Sequence, residues 1–216
     1  MNLKIFAPLI FLAVIFLTGC GQEDTPEAAI NEIKIALAER DSKKLSERVD
    51  LDKFFSTTYD ATTIALAKNY DAYQAKYPDD PYFQHNAEFL TTYNAEHKAL
   101  HLKFLEGVKN SFFAKMPEPD KPEDNPTAYV ANEFEKIRQS TNATIKETSI
   151  DDDKAIILLD VQGDNSLRGQ FIGQLTFKLG FHRDEKNHWH FDGIENIDEI
   201  TPTLVDKAEL VWITFF

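Results

Sequence analysis

Residues 154–162 carry the stretch Lys-Ala-Ile-Ile-Leu-Leu-Asp-Val-Gln, in which four large aliphatic residues stand in succession. In the segments around it apolar and polar residues alternate, and polar turns at 151–153, 163–165 and 184–186 separate them, which predicts β-strands. The predicted strands are 144–150, 154–162, 170–182 and 188–197. Because short turns join antiparallel neighbours, we expect a β-meander over 143–197, with 154–162 as a central strand.

Upstream of these strands, in residues 26–140, the apolar spacing is helical. A first helix is predicted at Thr25-Pro26, where threonine can cap the first turn and proline suits the first helical position. Further helices are predicted around Leu45 and Val49, from Asp50, and from Asn125-Pro126. Helices followed by strands predict an α+β fold, with N-terminal helices packed on one face of a C-terminal antiparallel sheet of about four strands.

The longest predicted helix, at about 87–114, has one apolar stripe. Its members follow one another every three or four residues, which is the spacing of a single helix face. They are Phe89, Tyr93, His97, Leu100, Phe104, Val108 and Phe112. We expect this stripe to pack into the core.

Two segments lie outside these predicted elements. Residues 116–126 contain four prolines among acidic residues and are predicted to form a solvated, mobile loop, with the docking of a basic partner as the alternative. The tail, 204–216, ends in Leu210-Val211-Trp212-Ile213-Thr214-Phe215-Phe216, which is too apolar to be left in water. We expect the tail to dock as a strand or an irregular cover, with a partner surface as the alternative.

The register of the last two strands follows from their odd-numbered apolar positions. Leu179 and Phe181 share the core face with Trp189 and Phe191 only if the numbers of opposed residues add up to an even number. We therefore expect a turn of odd length, with Phe181 opposite Trp189 and Leu179 opposite Phe191.

The outer face of this hairpin carries the candidate site. The predicted register places His182 opposite His188, with His190 two residues along the same face and Lys178 opposite Asp192. Three imidazoles within about 5–8 Å of each other could share a metal ion. The alternative is a solvated sheet face on which the histidines have no common ligand.

Other catalytic or metal-binding patterns are incomplete or absent from the sequence. His97 and His101 share a helix face, as in zinc-binding helices, but Lys98 follows His97 where the metalloprotease pattern needs glutamate. The sequence has no glycine-rich phosphate loop, no Gly-x-Ser-x-Gly and no Asp-x-Asp-x-Asp-Gly calcium loop. We therefore predict no catalytic residue and no cofactor.

The first twenty residues have the composition of an export signal. Lys4 precedes an uncharged apolar run of about thirteen residues, within the ~7–15 of a signal peptide and short of the ~18–20 of a membrane span. The run ends in Leu17-Thr18-Gly19-Cys20, which resembles the lipobox of bacterial lipoproteins. This resemblance implies cleavage between Gly19 and Cys20, lipidation of Cys20, a signal peptide at 1–19, a lipidated tether at 20–25 and one domain at 26–216.

Charge and cysteine content limit the function further. Cys20 is the only cysteine, so the chain can form no intramolecular disulfide and offers no second thiol as a nucleophile. Removing residues 1–19 takes away Lys4 and no acidic residue, so the net charge falls from −13 to −14. Such a balance opposes binding to nucleic acid, which depends on clustered lysine and arginine.

At the level of the whole domain, the chain resembles a known superfamily. An N-terminal helical region followed by an antiparallel meander that ends in Trp189-His190-Phe191-Asp192-Gly193-Ile194 is similar to the cystatin-like or nuclear-transport-factor-2-like (SnoaL-like) domains. The stretch from Ala36 to Leu51 is also similar to the opening of small bacterial lipoproteins of this build. The superfamily contains both enzymes and binding domains, so the resemblance implies a fold and no activity.

These observations lead to one expected function and two alternatives. We expect a lipid-anchored protein of the bacterial cell envelope that faces outside the cytoplasm and binds a protein or small ligand without catalysis. Gly21 after the cysteine resembles lipoproteins directed to the outer membrane, if the host has one. The alternatives are a metal-binding protein or enzyme that uses His182, His188 and His190 or a pocket between sheet and helices, and an assembly protein whose loop 116–126 binds a basic partner.

Overall fold

The computed structural model describes residues 24–215, with side chains described for residues 24–208. The helices in this part are α1 (Pro26–Glu39), α2 (Ser42–Ser46), α3 (Leu51–Lys68), α4 (Tyr70–Lys76), a 3₁₀ turn (Pro81–Phe83), α5 (Ala87–Phe113), α6 (Pro126–Gln139), α7 (Leu167–Ile172) and α8 (Ile197–Phe215). The strands are β1 (Thr141–Asp151), β2 (Lys154–Gly163), β3 (Gln174–Arg183) and β4 (Trp189–Ile194).

The sheet confirms the predicted α+β class. Its strands lie in the order β1-β2-β3-β4 and every neighbouring pair is antiparallel, so the meander is as expected and β2 is a central strand. The N-terminal helices pack against one face of the sheet. The main core, between helices and sheet, includes Ile30, Leu37, Phe54, Ile157 and Phe177, each at most 2% exposed.

Three helices begin where the sequence predicts. The side chains of Thr25, Asp50 and Asn125 each accept a hydrogen bond from the backbone N–H three residues later, at 3.1, 3.0 and 3.1 Å. Pro26 and Pro126 follow two of these caps, at positions where a helix leaves the backbone nitrogen without an intrahelical partner. The predicted starts of α1, α3 and α6 are therefore confirmed.

The predicted start of the third strand is wrong, because residues 167–172 form the short helix α7 and β3 begins only at Gln174. The side chain of Ser166 caps α7 by accepting from Gly169 N, at 3.1 Å. Glycines then allow the chain to turn tightly back into the sheet. A Cβ on Gly163 would lie 1.7 Å from the carbonyl oxygen of Gly169, and Gly173 has φ of +60°.

The expectation of a strand or irregular cover for the tail is also wrong, because residues 197–215 form helix α8. Its buried apolar side chains among the residues described follow helical spacing; they are Ile197, Ile200, Leu204, Val205 and Ala208. This spacing outweighs the strand propensity of the β-branched and aromatic residues near the end. None of the helices described is long and apolar enough to cross a membrane.

The predicted core stripe of the long helix is rotated in the structure. Phe89 and Leu100 are 46% and 64% exposed, and the buried side chains of α5 are Leu90, Asn94, His101, Leu105, Val108, Ser111 and Phe112. One residue corresponds to about 100° around a helix, so a shift by one position exchanges flank and core. The expectation is right for Val108 and Phe112, which are buried, and in part for Phe104, which is partly buried against the main core.

Candidate functional site

The turn between β3 and β4 has an odd number of residues, as predicted. Next to the turn, the numbers of opposed residues add up to an even number, also as predicted, but the residues that face each other are not the predicted ones. The turn has five residues, 184–188, and Phe181 lies opposite Phe191 rather than Trp189. Leu179 lies opposite Ile194, because a bulge between Gly180 and Phe181 shifts the pairing by one residue. Leu179, Phe181, Trp189 and Phe191 are all buried, as the odd-numbered pattern requires.

The same register corrects the predicted histidine pairing. His182 lies opposite His190, not opposite His188, and the two rings stack with centroids 5.4 Å apart. Nδ1 of His182 is 2.8 Å from Oδ1 of Asp192, and Nε2 of His190 is 3.1 Å from Oδ2 of Asp184. The outer face therefore carries two adjacent histidine–carboxylate pairs.

Asp184 organises the turn as well as contacting a histidine. Its Oδ1 accepts hydrogen bonds from the backbone N–H groups of Lys186 and His188, both at 2.8 Å. The bond from His188 N–H contributes most to lowering the pKa of Asp184 to about 2, against the effect of desolvation, and His190 and Lys186 N–H add to it. Asp184 is thus a fixed negative charge at neutral pH.

His188 is connected to the other candidates only through its backbone. Its side chain is exposed, and its N–H donates to Asp184. Among the residues described, no group of three or more histidine, cysteine, aspartate or glutamate side chains is arranged to hold a metal ion. The structure therefore brings together His182 and His190 but not the predicted set of three.

Sequence reasoning placed Asp192 on this face but opposite Lys178, and it missed the contacts of Asp192 and Asp184 with the histidines. Lys178, predicted to lie opposite Asp192, instead extends its Nζ to Glu199 of α8, 2.7 Å away. A signal for Asp192 was present, because it is even-numbered like His182 and His190 and must share their sheet face. Asp184 lies in the turn, where strand alternation gives no guidance.

A second polar cluster, buried between α3 and α5, was also missed. The Tyr59 hydroxyl is 3.0 Å from the carbonyl oxygen of Asn94 and 2.8 Å from Nδ1 of His101. The Asn94 side chain contacts Tyr82 OH, and its Nδ2 donates to Thr63 Oγ1 at 3.1 Å. Because a carbonyl can only accept, the contacts are satisfied when Tyr59 donates to Asn94 and His101 donates through Nδ1.

The electrostatics of this cluster keep it neutral. Burial lowers the pKa of His101, and the nearby His97 lowers it further. Burial raises the pKa of Tyr82 to about 12 and also raises the pKa of Tyr59. With its hydrogen bonds made internally, the cluster fixes how α3 and α5 pack.

A third cluster, which we call the N-terminal clamp, is formed by Asp24, Glu32, Arg48 and the backbone of Trp189. Arg48 donates to Glu32 Oε2 at 2.6 Å, to Asp24 Oδ2 at 3.0 Å and to the carbonyl oxygen of Trp189 at 3.0 Å. Asp24 Oδ2 also accepts from Trp189 N, at 3.0 Å. The clamp joins the segment before α1 to the first residue of β4.

Arg48 is suited to this position by its charge and its shape. Its side chain is only 11% exposed, and burial opposes its charge, but the carboxylates of Glu32 and Asp24 more than compensate and raise the pKa of Arg48. The backbone of Arg48 also contacts β4, because Arg48 O accepts a hydrogen bond from Phe191 N at 2.9 Å. A planar group with several donors can bind two carboxylates and a carbonyl together.

Two other features predicted from the sequence are the cleavage and lipidation site and the acidic loop 116–126. Gly19 and Cys20 lie outside the described residues, and Asp24 is four positions after Cys20. In the acidic loop, Glu118 contacts Lys136 of α6 at 2.6 Å, and Met116 O accepts from the side chain of Asn132 at 3.1 Å. The first part of the loop is therefore tied to α6, whereas Asp120, Glu123 and Asp124, farther along the loop, are exposed.

Comparison of the chain with protein-family models, curated proteins and solved structures finds no match. The resemblance to cystatin-like or nuclear-transport-factor-2-like domains therefore stays a prediction.

Proposed function

We propose that this chain is a lipid-anchored protein of the bacterial cell envelope whose α+β domain binds a protein or small ligand outside the cytoplasm without catalysis. The observation that carries the anchoring is Leu17-Thr18-Gly19-Cys20 directly after the apolar run. Two acyl chains on Cys20, at ~0.8 kcal/mol per buried methylene, give on the order of 20 kcal/mol of gross membrane affinity. Anchoring of this strength is effectively permanent.

The folded part is compatible with this attachment. Asp24, four positions after Cys20, is already held by Arg48 and Trp189 N, so the tether between lipid and domain is short. The acidic balance of the chain disfavours adsorption of the domain to anionic lipid. The lipid would therefore hold the domain, and the domain surface stays available to a partner.

The polar side chains of two clusters are hydrogen-bonded to neighbouring residues of the domain. His182 and His190 are hydrogen-bonded to Asp192 and Asp184 on the outer face of the hairpin. The Tyr59–His101 pair is buried and makes its hydrogen bonds within the core. Both arrangements use their polar atoms to stabilise the fold.

The anchoring is tested by expressing the wild type, Cys20→Ser and Thr18→Ser in bacteria fed a clickable fatty acid. We expect lipid label and membrane fractionation for the wild type and for Thr18→Ser, which keeps a small residue before the cleavage point. Cys20→Ser should lose both. A Cys20→Ser protein that stays membrane-bound, or mass spectrometry that finds an unmodified thiol at Cys20 of the wild type, would contradict the proposal.

A further inference from the structure

We propose that the lipid fixes which end of the domain faces the bilayer, namely the end of the sheet that carries the turns 152–153 and 184–188. We call this the hairpin-turn end. The inference rests on the proposed lipid anchoring and adds an orientation to it. The observation behind it is that the N-terminal clamp contacts one end of the sheet.

The clamp lies at the hairpin-turn end. Asp24 accepts from Trp189 N, and Trp189 is the first residue of β4 after the turn 184–188. The other turn lies beside it, because Arg183 N donates to Asp153 O at 2.7 Å and the Arg183 guanidinium donates to Asp152 O at 2.9 Å. The chain therefore enters the fold at the edge where both turns meet.

The opposite end of the sheet is far from this entry. Strand β3 runs ten residues from Gln174 to Arg183, which corresponds to roughly 30 Å at about 3.3 Å per residue. Helix α7 and the turn before it lie at the far end, where Gln162 of β2 pairs with Gln174. We call this the α7 end.

Helix α8 also points away from the clamp. Glu199, near its start, contacts Lys178 in the middle of β3, whereas Lys207 Nζ donates to Gln170 O of α7 at 3.1 Å. The carboxyl-terminal part of α8 is therefore at the α7 end, on the side expected to face away from the lipid. A partner in the envelope would meet this end first.

The tether is too short to let the domain invert. Only residues 21–23 separate Cys20 from Asp24, and a fully extended chain spans at most about 3.6 Å per residue, or roughly 14 Å over these four steps. This reach is about half the length of β3. The hairpin-turn end therefore stays close to the headgroups, while the α7 end can approach them only if the domain lies down.

Charge at the hairpin-turn end does not attract this end to anionic lipid. Asp151, Asp152 and Asp153 occupy one turn, and Asp184 and Glu185 occupy the other. Lys154, Arg183 and Lys186 are the basic residues beside them. The excess of carboxylates repels a negative surface, so contact at this end depends on the covalent tether rather than on adsorption.

The orientation is tested with two matched cysteines on the lipidated protein. Lys186→Cys lies in the exposed turn of the hairpin-turn end, and Asn165→Cys lies in the exposed turn before α7. Acylated Cys20 does not react, so a thiol-specific fluorophore marks one site in each variant. In vesicles of zwitterionic and anionic lipid with headgroup-linked nitroxide, we expect several-fold stronger quenching at position 186 than at 165. Equal quenching, or stronger quenching at 165, would overturn the inference.

A lengthened tether supplies the control. A long Gly/Ser segment inserted after Gln22 behaves as a flexible coil and should bring quenching at the two positions closer together. If the difference is unchanged by the insertion, the tether does not set the orientation and the inference fails. Mass spectrometry before reconstitution separates the two proposals: an unmodified Cys20 ends the proposed anchoring, whereas lipidated protein with equal quenching ends the orientation alone.

Discussion

Nδ1 of His101 lies 2.8 Å from the hydroxyl oxygen of Tyr59, inside the contact between α3 and α5. Tyr59 OH also reaches the carbonyl oxygen of Asn94, so one hydroxyl contacts groups that lie about two turns apart on α5. Both ring-bearing residues are buried, with His101 at 8% and Tyr59 at 6% exposure. Polar groups buried in this way cost free energy only when a partner is lost.

Tyr59→Phe removes the shared hydroxyl and leaves the ring in place. We expect the free energy of unfolding to fall by about 1–3 kcal/mol, because His101 and the Asn94 carbonyl lose a buried partner. Urea denaturation measures the change. Tyr93→Phe, on the half-buried flank of α5, is the control and should change stability much less. Equal losses in the two variants would show that the hydroxyl of Tyr59 has no special role.

His101 should also make stability depend on pH. Burial and the neighbouring His97 lower its pKa below the ordinary 6.5. As the pH falls below 6.5, the unfolded chain takes up a proton at His101 before the folded protein does, so stability decreases with decreasing pH. This loss continues down to the lowered pKa and is absent above 6.5.

Replacing the histidine isolates this effect. His101→Gln removes the titrating group, so its free energy of unfolding should fall less steeply below pH 6.5 than that of the wild type. His188→Gln, at an exposed position, should keep the slope of the wild type. Denaturant titrations over a pH series measure both slopes, and identical slopes for His101→Gln and the wild type would refute the assignment.

The outer histidines should not bind zinc with high affinity. A catalytic or structural zinc site needs three or four protein ligands, whereas among the residues that the structure describes no three such side chains are arranged to hold a metal ion. We expect elemental analysis of untagged protein to find no stoichiometric zinc. One zinc per chain that disappears in a His182→Ala, His190→Ala variant but persists in His85→Ala would instead support the metal-binding alternative.

The predictable part of the fold is the part that local rules control. Caps such as Thr25 and Asp50 act within one helical turn, and the odd-numbered apolar pattern of Phe181 and Phe191 assigns their face without any knowledge of distant residues. These features were correctly predicted. The exact pairing of β3 with β4 was not, because the bulge at Gly180 changes the register without changing the local pattern.

Long-range contacts explain why the buried polar cluster and the N-terminal clamp were missed. Asn94 and His101 are polar, so a hydrophobic pattern assigns them to the outside of α5, yet Tyr59 and Thr63 on another helix satisfy them in the core. The clamp of Arg48 depends on Trp189, 141 positions away in sequence. No spacing rule within a single segment contains this information.

The connection from β2 to β3 should not tolerate a side chain at Gly163. A Cβ there would lie 1.7 Å from the carbonyl oxygen of Gly169, and backbone on both sides would have to move. We expect Gly163→Ala to lower the free energy of unfolding by about 3 kcal/mol or more, at the upper end of overpacking effects. Gln162→Ala, the exposed neighbour, is the control. Similar thermal melting of the two variants would contradict the close packing.

The N-terminal clamp should contribute to stability because Arg48 is nearly buried. Arg48→Ala leaves Asp24 and the Trp189 carbonyl without their shared donor. Breaking a buried pair costs ~3–5 kcal/mol, and we expect about 2–3 kcal/mol here because Glu32, the third partner, is 52% exposed. Urea denaturation measures the loss.

Two further variants are compared with Arg48→Ala: one separates geometry from charge in the clamp, and the other is an exposed control. Arg48→Lys keeps the positive charge but not the planar set of donors, so its loss should lie between those of the wild type and Arg48→Ala. Lys44→Ala removes an ion pair with Glu39 in which both side chains are more than half exposed, and it should cost much less stability than Arg48→Ala. If Arg48→Ala costs as little as Lys44→Ala, the clamp does not hold the start of the domain to β4, because removing the buried guanidinium takes one hydrogen-bond donor away from both Asp24 and the Trp189 carbonyl.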